Sequence, residues 1–173
     1  DLHLCDRRQR QMCIRDSGDK AEELLHAVWA YGGEQIKKGV PCKPGLKELL
    51  SYLEDLGMPR IVASSSPRTM VELNLQTTGT ARYFHDIVCG NEVKLCKPAP
   101  DIFLEAARRI KVDIHDCMVL EDSHNGIRAG HASGAETVMV PDLLPVTDEM
   151  RSLYDDCCKD LFEVKAKMEQ GVL

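Results

Sequence analysis

This chain of 173 residues has few aromatic residues, no long apolar run and no excess of basic charge. Phe, Trp and Tyr together make up 5% of the sequence. No stretch approaches the apolar length that a membrane-spanning helix needs, and no signal-peptide pattern is present, so we expect a cytoplasmic protein without membrane contact. The net charge of −6 argues against a nucleic-acid-binding surface.

The cysteines also lack the spacing of a metal site. No Cys-x-x-Cys pair occurs, and the histidines show no tight metal-ligand spacing, so we predict neither a zinc site nor a disulfide framework. Cys89 and Cys117 lie in apolar runs that are typical of strands, which predicts that they serve as small buried hydrophobic residues.

Residues 1–17 are unlike the rest of the chain. Residues 7–16 match one reading frame of a transposase-type sequencing adapter codon by codon, and residues 1–3 match another part of the same adapter. We therefore predict that residues 1–17 are a non-native, adapter-derived segment. The alternative is a basic arm that contacts nucleic acid, which Arg7, Arg8, Arg10 and Arg15 would permit.

From about Gly18 onward, the chain alternates between helical and strand patterns. Apolar residues recur at helical spacing over 21–36 and 46–53, and short apolar runs typical of buried strands occupy 61–63, 87–89 and 117–120. This alternation predicts an α/β fold with a Rossmann-like parallel sheet and helices on both faces.

A serine cluster follows the first of these strands. Free amides and hydroxyls where a strand runs into a helix can bind an anion, so Ser64 and the amide of Ser65 are candidate phosphate ligands. Plain helix capping is the alternative, with Ser66 as the cap and Pro67 in the first helical turn.

Lys97 follows the second strand and stands just before a predicted helix. A lysine is unfavourable at the positive end of a helix dipole, so we interpret Lys97 as a residue that binds a phosphoryl group. A solvated lysine beside a Pro-Ala-Pro turn is the alternative.

Glu121 and Asp122 end the third strand. Two adjacent acids repel each other unless a cation or hydrogen-bond donors compensate, and carboxylate oxygens suit Mg²⁺. Asp122 could instead cap the following helix. Because ligands of parallel sheets gather at the carboxyl ends of the strands, we expect Ser64, Lys97 and this acidic pair to form one phosphate and magnesium site.

These segments resemble the haloacid dehalogenase-like phosphohydrolases, and within them the branch that contains beta-phosphoglucomutase and phosphoglycolate phosphatase. The resemblance rests on residues 97–103 (KPAPDIF), residues 120–123 (LEDS) with Gly126, Ile127 and Ala129, and residues 61–66 (IVASSS). It implies that Ser64 and Lys97 are catalytic and bind the transferring phosphoryl group. It also implies that Glu121 and Asp122 bind Mg²⁺.

The resemblance further implies a domain division. Residues 18–40 would be the remnant of a helical cap, and residues 41–173 a core domain that lacks its first strand and first motif. That motif, Asp-x-Asp, supplies the nucleophile of the family and has no counterpart here. We therefore expect this chain by itself to be inactive and only marginally stable.

For the intact protein, the resemblance implies a monomeric, Mg²⁺-dependent phosphatase that acts on a small phosphorylated metabolite through an aspartyl phosphate. A sugar phosphomutase of the beta-phosphoglucomutase type is one alternative, since both activities use the same core motifs. A non-catalytic binding module that keeps the fold is an alternative of another class.

Overall fold

A computed structural model describes the chain from Asp19 to Leu173. The predicted non-native segment, residues 1–17, lies outside the described residues. The chain separates into two compact units, with the boundary between Val40 and Pro41. The assignment of the first unit to a helical cap stays a prediction.

The described part of the first unit consists mainly of one helix, α1 (Asp19–Lys37). It covers the predicted helical pattern and ends two residues before Gly39. Near its end, Lys37 Nζ donates to Glu34 Oε1 over 2.8 Å, one turn away on the helix surface.

The second unit alternates strands and helices, as predicted. Its strands are β1 (Ile61–Ser64), β2 (Asp86–Cys89), β3 (Met118–Glu121), β4 (Glu136–Met139) and β5 (Asp156–Cys157). Its helices are α2 (Leu46–Asp55), α3 (Arg68–Thr78), α4 (Asp101–Ile110), α5 (His124–Ser133), α6 (Asp148–Arg151) and α7 (Leu161–Glu169).

The strands form two parallel sheets instead of one continuous sheet. One sheet has the order β1-β2 and the other the order β3-β4-β5. Ser64 pairs with Cys89 at the end of the first sheet, and Glu121 pairs with Met139 in the second. Among the described residues, no strand lies between β1 and β3 to join the two. The predicted α/β class with parallel strands is confirmed.

Helices cover both faces of the strands. Met118 and Val119 are neighbours in β3 and therefore point to opposite faces. Val119 packs in a core cluster with α4 and α5 that contains Val88, Ile102, Phe103, Ala106, Ala129 and Ala135. Met118 packs against a cluster with α2 and α7 that contains Leu49, Val138, Val140, Cys158, Leu161 and Val164.

Two local predictions are resolved by these elements. The prediction that Ser66 caps a helix is wrong, because α3 begins at Arg68 with Pro67 at the cap position and no side-chain cap. Cys89 is fully buried in β2, as predicted, whereas Cys117 is half-buried and precedes β3. Burial raises the pKa of both thiols, which favours their neutral form.

One structural observation concerns the predicted absence of membrane contact. Within residues 19–173, no helix combines the length and the apolar character that crossing a bilayer requires.

The start of α2 packs closely against the start of α7. The amide of Leu161 donates to the carbonyl oxygen of Pro44 over 3.1 Å. Gly45 has φ of 84°, and a Cβ atom there would lie 2.3 Å from the amide nitrogen of Phe162. Both the left-handed backbone and the lack of space therefore require glycine.

The substitution Gly45→Ala should lower the free energy of unfolding by more than about 2 kcal/mol, because it adds a steric clash to the cost of a left-handed backbone. Gly57→Ala is the matched control, since Gly57 has φ of 66° but nothing within 4 Å of an added Cβ. It should cost only about 1 kcal/mol. Urea denaturation of both variants measures the difference, and equal costs would contradict the packing argument.

Candidate active site

Lys97 connects the carboxyl ends of β1 and β3. Its Nζ donates to the carbonyl oxygen of Ala63 over 3.2 Å and forms a short ion pair with Glu121. Ser64, the last residue of β1, directly follows Ala63. The structure therefore brings the three predicted strand ends together around one lysine.

The side chain of Lys97 is almost enclosed. Only 9% of it is exposed, and its Nζ lies 4.7 Å from the centre of the Phe103 ring. The alternative of a solvated lysine is wrong, because the ammonium group is held by a carbonyl, a carboxylate and an aromatic face. Sequence reasoning did not identify Phe103 as a contact of Lys97.

Glu121 is held from two sides. Its Oε1 pairs with Lys97, and its Oε2 accepts from the hydroxyl of Ser123 over 3.1 Å. The first turn of α5 passes so close that a Cβ atom at Gly126 would lie 2.0 Å from Oε2. Gly126 therefore makes room for the carboxylate, which explains a glycine at this position of the motif.

Asp122 does not cap α5. Ser123 is the cap residue, and its Oγ accepts from the amide of Gly126 over 3.0 Å. The capping alternative for Asp122 is therefore wrong. The half-buried carboxylate of Asp122 has no hydrogen bond or ion pair with any residue between 19 and 173.

The carboxylates of Asp122 and Glu121 could supply some, but not all, of the oxygen ligands that a hard cation such as Mg²⁺ needs. Asp122 offers an unengaged carboxylate with the oxygen donors that Mg²⁺ prefers. Glu121 lies beside it but is engaged by Lys97 and Ser123. No cluster of three or more His, Cys, Asp or Glu side chains suited to a metal occurs in the described part of the chain. A cation here would need further oxygen donors, such as water.

The two serines differ in their surroundings. Ser64 is half-buried, and its Oγ accepts from the amide of Ser66 over 3.1 Å. This arrangement leaves the hydroxyl hydrogen of Ser64 able to donate. Ser65 is exposed and lies near Gly90, so that a Cβ atom at Gly90 would be 3.5 Å from the Ser65 Cα atom. Their phosphate-binding role stays a prediction.

An ion-pair network that sequence reasoning missed holds the loop between β2 and Lys97. Glu92 accepts from Arg68 Nη2 and from Arg109 Nη2, each over 2.8 Å. Both arginines also donate to the carbonyl oxygen of Ile87. The network ties the loop to α3 and α4. Its members lie far apart in the sequence, which gave no signal of their contact.

The substitution Gly126→Ala should displace the Glu121 carboxylate and break its pair with Lys97, at a cost of about 1 to 3 kcal/mol in stability. Lysine acetylation read by mass spectrometry should then show faster modification of Lys97. Asn125→Ala, at the exposed neighbouring position of α5, should leave the acetylation rate unchanged. An unchanged rate in Gly126→Ala would contradict the close packing.

Glu92 should make the stability of the fold depend on pH. Burial alone would raise the pKa of Glu92, but hydrogen bonds from Arg109 and Arg68 outweigh it and hold the pKa below its ordinary value. A carboxyl group with a lowered folded-state pKa stabilises the protein above its unfolded-state pKa, and this contribution is lost as the pH falls.

Urea denaturation between about pH 6 and pH 3 should therefore show a steeper loss of stability in the unmodified chain than in Glu92→Gln. At neutral pH, Glu92→Gln should cost about 2 kcal/mol. Glu48→Gln, on an exposed position of α2, serves as the control and should leave the pH dependence unchanged. Parallel pH profiles for the chain and Glu92→Gln would refute the role of Glu92.

Comparisons with known proteins identify the family of this chain. Residues 10–134 match the family described as haloacid dehalogenase-like hydrolase. A bifunctional riboflavin kinase/FMN phosphatase of Arabidopsis thaliana is 38% identical over 84% of this chain and 38% of its own length. Hexitol phosphatase B of Escherichia coli (strain K12) is 28% identical over 87% of this chain and 68% of its own length.

The fold has solved counterparts as well. The beta-phosphoglucomutase of Clostridium difficile superposes with a TM-score of 0.65 at 23% identity, covering 75% of this chain and 55% of that one. At this identity the likeness shows the fold alone. The chain spans about half the length of several curated relatives that it matches. The family match covers most of the chain, and the chain belongs to the haloacid dehalogenase-like hydrolases.

Proposed function

We propose that this chain carries the phosphate-binding part of a phosphomonoester hydrolase that acts on a small organic phosphate. One observation carries the proposal: the nearly enclosed ammonium group of Lys97 lies at the ends of β1 and β3, beside Ser64. A cation in such a site attracts an anion more strongly than a cation in open water does. Relatives named as an FMN phosphatase and a hexitol phosphatase support a small phosphorylated substrate.

Each polar group of the site has a proposed role toward the phosphoryl group. The ammonium group of Lys97 neutralises negative charge on the phosphoryl oxygens. The hydroxyl of Ser64 donates to one of these oxygens while its Oγ keeps the hydrogen bond from Ser66. Ser65 is an exposed residue next to Ser64, and its amide donates to another oxygen. Ser64 and Lys97 would thus contact the reacting group directly.

Asp122 and Glu121 would hold Mg²⁺. Asp122 is the direct ligand in this proposal because its carboxylate is unengaged, whereas Glu121 is bound by Lys97 and Ser123. When bound, the cation would supply positive charge against the phosphoryl oxygens. Glu121 fixes the position of Lys97 and adds negative charge beside the cation.

We also propose that the 173 residues by themselves do not turn over a phosphate ester. Formation of an aspartyl phosphate needs an aspartate that can attack phosphorus, and the sequence holds no Asp-x-Asp pair. Within the described site, Glu121 is engaged by Lys97. This proposal separates phosphate binding, which the chain retains, from hydrolysis, which it lacks.

A binding measurement tests the proposal that the chain binds phosphate through Lys97. Titration of the chain with inorganic phosphate and Mg²⁺, followed by isothermal calorimetry, should show saturable binding that Lys97→Ala weakens by about tenfold to a hundredfold, since a charge-assisted hydrogen bond is lost. Lys94→Ala removes an exposed positive charge from the same loop and should bind as the unmodified chain does. Equal affinities for the two variants would refute the role of Lys97.

A hydrolysis assay tests the proposal that the chain by itself does not turn over a phosphate ester. Nitrophenyl phosphate should remain intact with the chain alone, and should be cleaved when an N-terminal strand that ends in Asp-x-Asp precedes the chain. In that extended protein, Lys97→Ala should lower turnover by about a hundredfold or more. Turnover that survives Lys97→Ala would contradict the enzyme proposal. Interconversion of sugar phosphates without release of phosphate would favour the mutase, and binding without turnover in the extended protein would favour the binding module.

A further inference from the structure

The loop between β4 and α6 lies beside the candidate active site. Near its start, the amide of Val140 donates to the carbonyl oxygen of Glu121 over 2.7 Å. Further along, Nε2 of His124 donates to the carbonyl oxygen of Pro145 over 2.9 Å. His124 follows Asp122 by two residues. Both contacts therefore attach the loop to the segment that carries the two candidate magnesium ligands.

Three further contacts hold the same loop in place. Lys43 Nζ lies 3.4 Å from Asp142 Oδ2, which ties the loop to the residues before α2. The guanidinium group of Arg128 donates to both carboxylate oxygens of Glu149, in α6, over 2.8 Å each. Val146 packs against a core cluster of three buried residues, Ile127, Met139 and Met150. The loop is thus attached at both ends and in the middle.

Leu143 is the apolar side chain that this loop exposes. It is 84% exposed, the largest fraction among the exposed large apolar side chains that the structure describes, whereas Leu144 next to it is half-buried. A single exposed leucine on a protein surface needs no explanation by itself. Leu143 differs in its position, because it lies between Asp142 and Pro145, two residues that are held at the border of the site.

The organic group of a phosphate ester needs its own contact in this site. The proposed contacts of Lys97, Ser64 and Ser65 all go to the phosphoryl group. The organic group is bonded to the same phosphorus through one oxygen, so it lies just outside these contacts, at the border of the site. A leucine side chain offers apolar area there and no hydrogen bond, which favours an apolar group over a polar one.

We propose that Leu143 is a specificity-determining residue that contacts the organic group of the substrate, and that this group is apolar, as an aromatic ring or an alkyl chain is. The inference rests on the proposed phosphate site and adds the class of phosphate ester that the site selects. Because the loop is fixed before the substrate binds, covering Leu143 costs little additional ordering of the chain.

Two phosphonates test the inference on the full chain. Methylphosphonate and benzylphosphonate carry the same anionic group and differ by one phenyl ring, and neither has an ester bond that can be hydrolysed. In isothermal calorimetry with Mg²⁺, the unmodified chain should bind benzylphosphonate about fivefold to tenfold more tightly than methylphosphonate. This preference is expected because the ring would remove part of the Leu143 side chain from water.

Three variants locate the contact with the ring. Leu143→Ser should reduce the preference for benzylphosphonate to about twofold or less and leave the affinity for methylphosphonate unchanged, whereas Leu143→Met keeps the apolar area and should keep the preference. Leu56→Ser is the matched control. Leu56 is 53% exposed and follows α2, about 15 Å along the helix from the end where Lys43 contacts the loop. This variant should bind both ligands as the unmodified chain does.

Two results would overturn the inference and leave the proposed phosphate site intact. One is binding of methylphosphonate without tighter binding of benzylphosphonate, and the other is a preference that survives Leu143→Ser. An equal loss of preference in Leu56→Ser would also overturn it, since the ring would then not be bound at Leu143. If the unmodified chain binds neither phosphonate nor inorganic phosphate, the proposed phosphate site is wrong and the inference is wrong with it.

Discussion

The ion pair between Lys97 and Glu121 is the interaction on which the site depends. Lys97 also donates to Ala63, so one side chain joins the end of the first sheet to the end of the second. A buried pair is costly to break from one side, because the remaining charge is left without a partner. The same two residues therefore hold the two strand ends in place.

The surroundings of this pair are built to keep it in position. Ser123 holds the second oxygen of Glu121, and Gly126 leaves the space that the carboxylate occupies. On the other side, Glu92 draws Arg68 and Arg109 together and fixes the loop that leads to Lys97. Two independent sets of contacts thus limit the movement of one acid and one base. This rigidity favours recognition of an anion with fixed geometry, such as a phosphoryl group.

The candidate active site lies where the end of one sheet meets the end of the other. β1 ends at Ser64 and β3 ends at Glu121, and residues of α2 and α4 line a cavity of about 520 Å³ that both strands also line. The sheets are bridged by α4 and by Lys97 instead of by a backbone ladder.

Local sequence patterns were enough to predict the α/β alternation, the haloacid dehalogenase-like family and the candidate site residues. These features depend on local patterns, namely apolar periodicity and the segments around Lys97 and Glu121, and local patterns can be read along the chain. The tertiary structure alone decided that Lys97 is enclosed, that Ser123 instead of Asp122 caps α5, and that Pro67 instead of Ser66 precedes α3. It also revealed the network around Glu92 and the cavity that β1 and β3 line. These features depend on contacts between residues far apart in the chain. Such contacts cannot be predicted from the spacing of residues along the sequence.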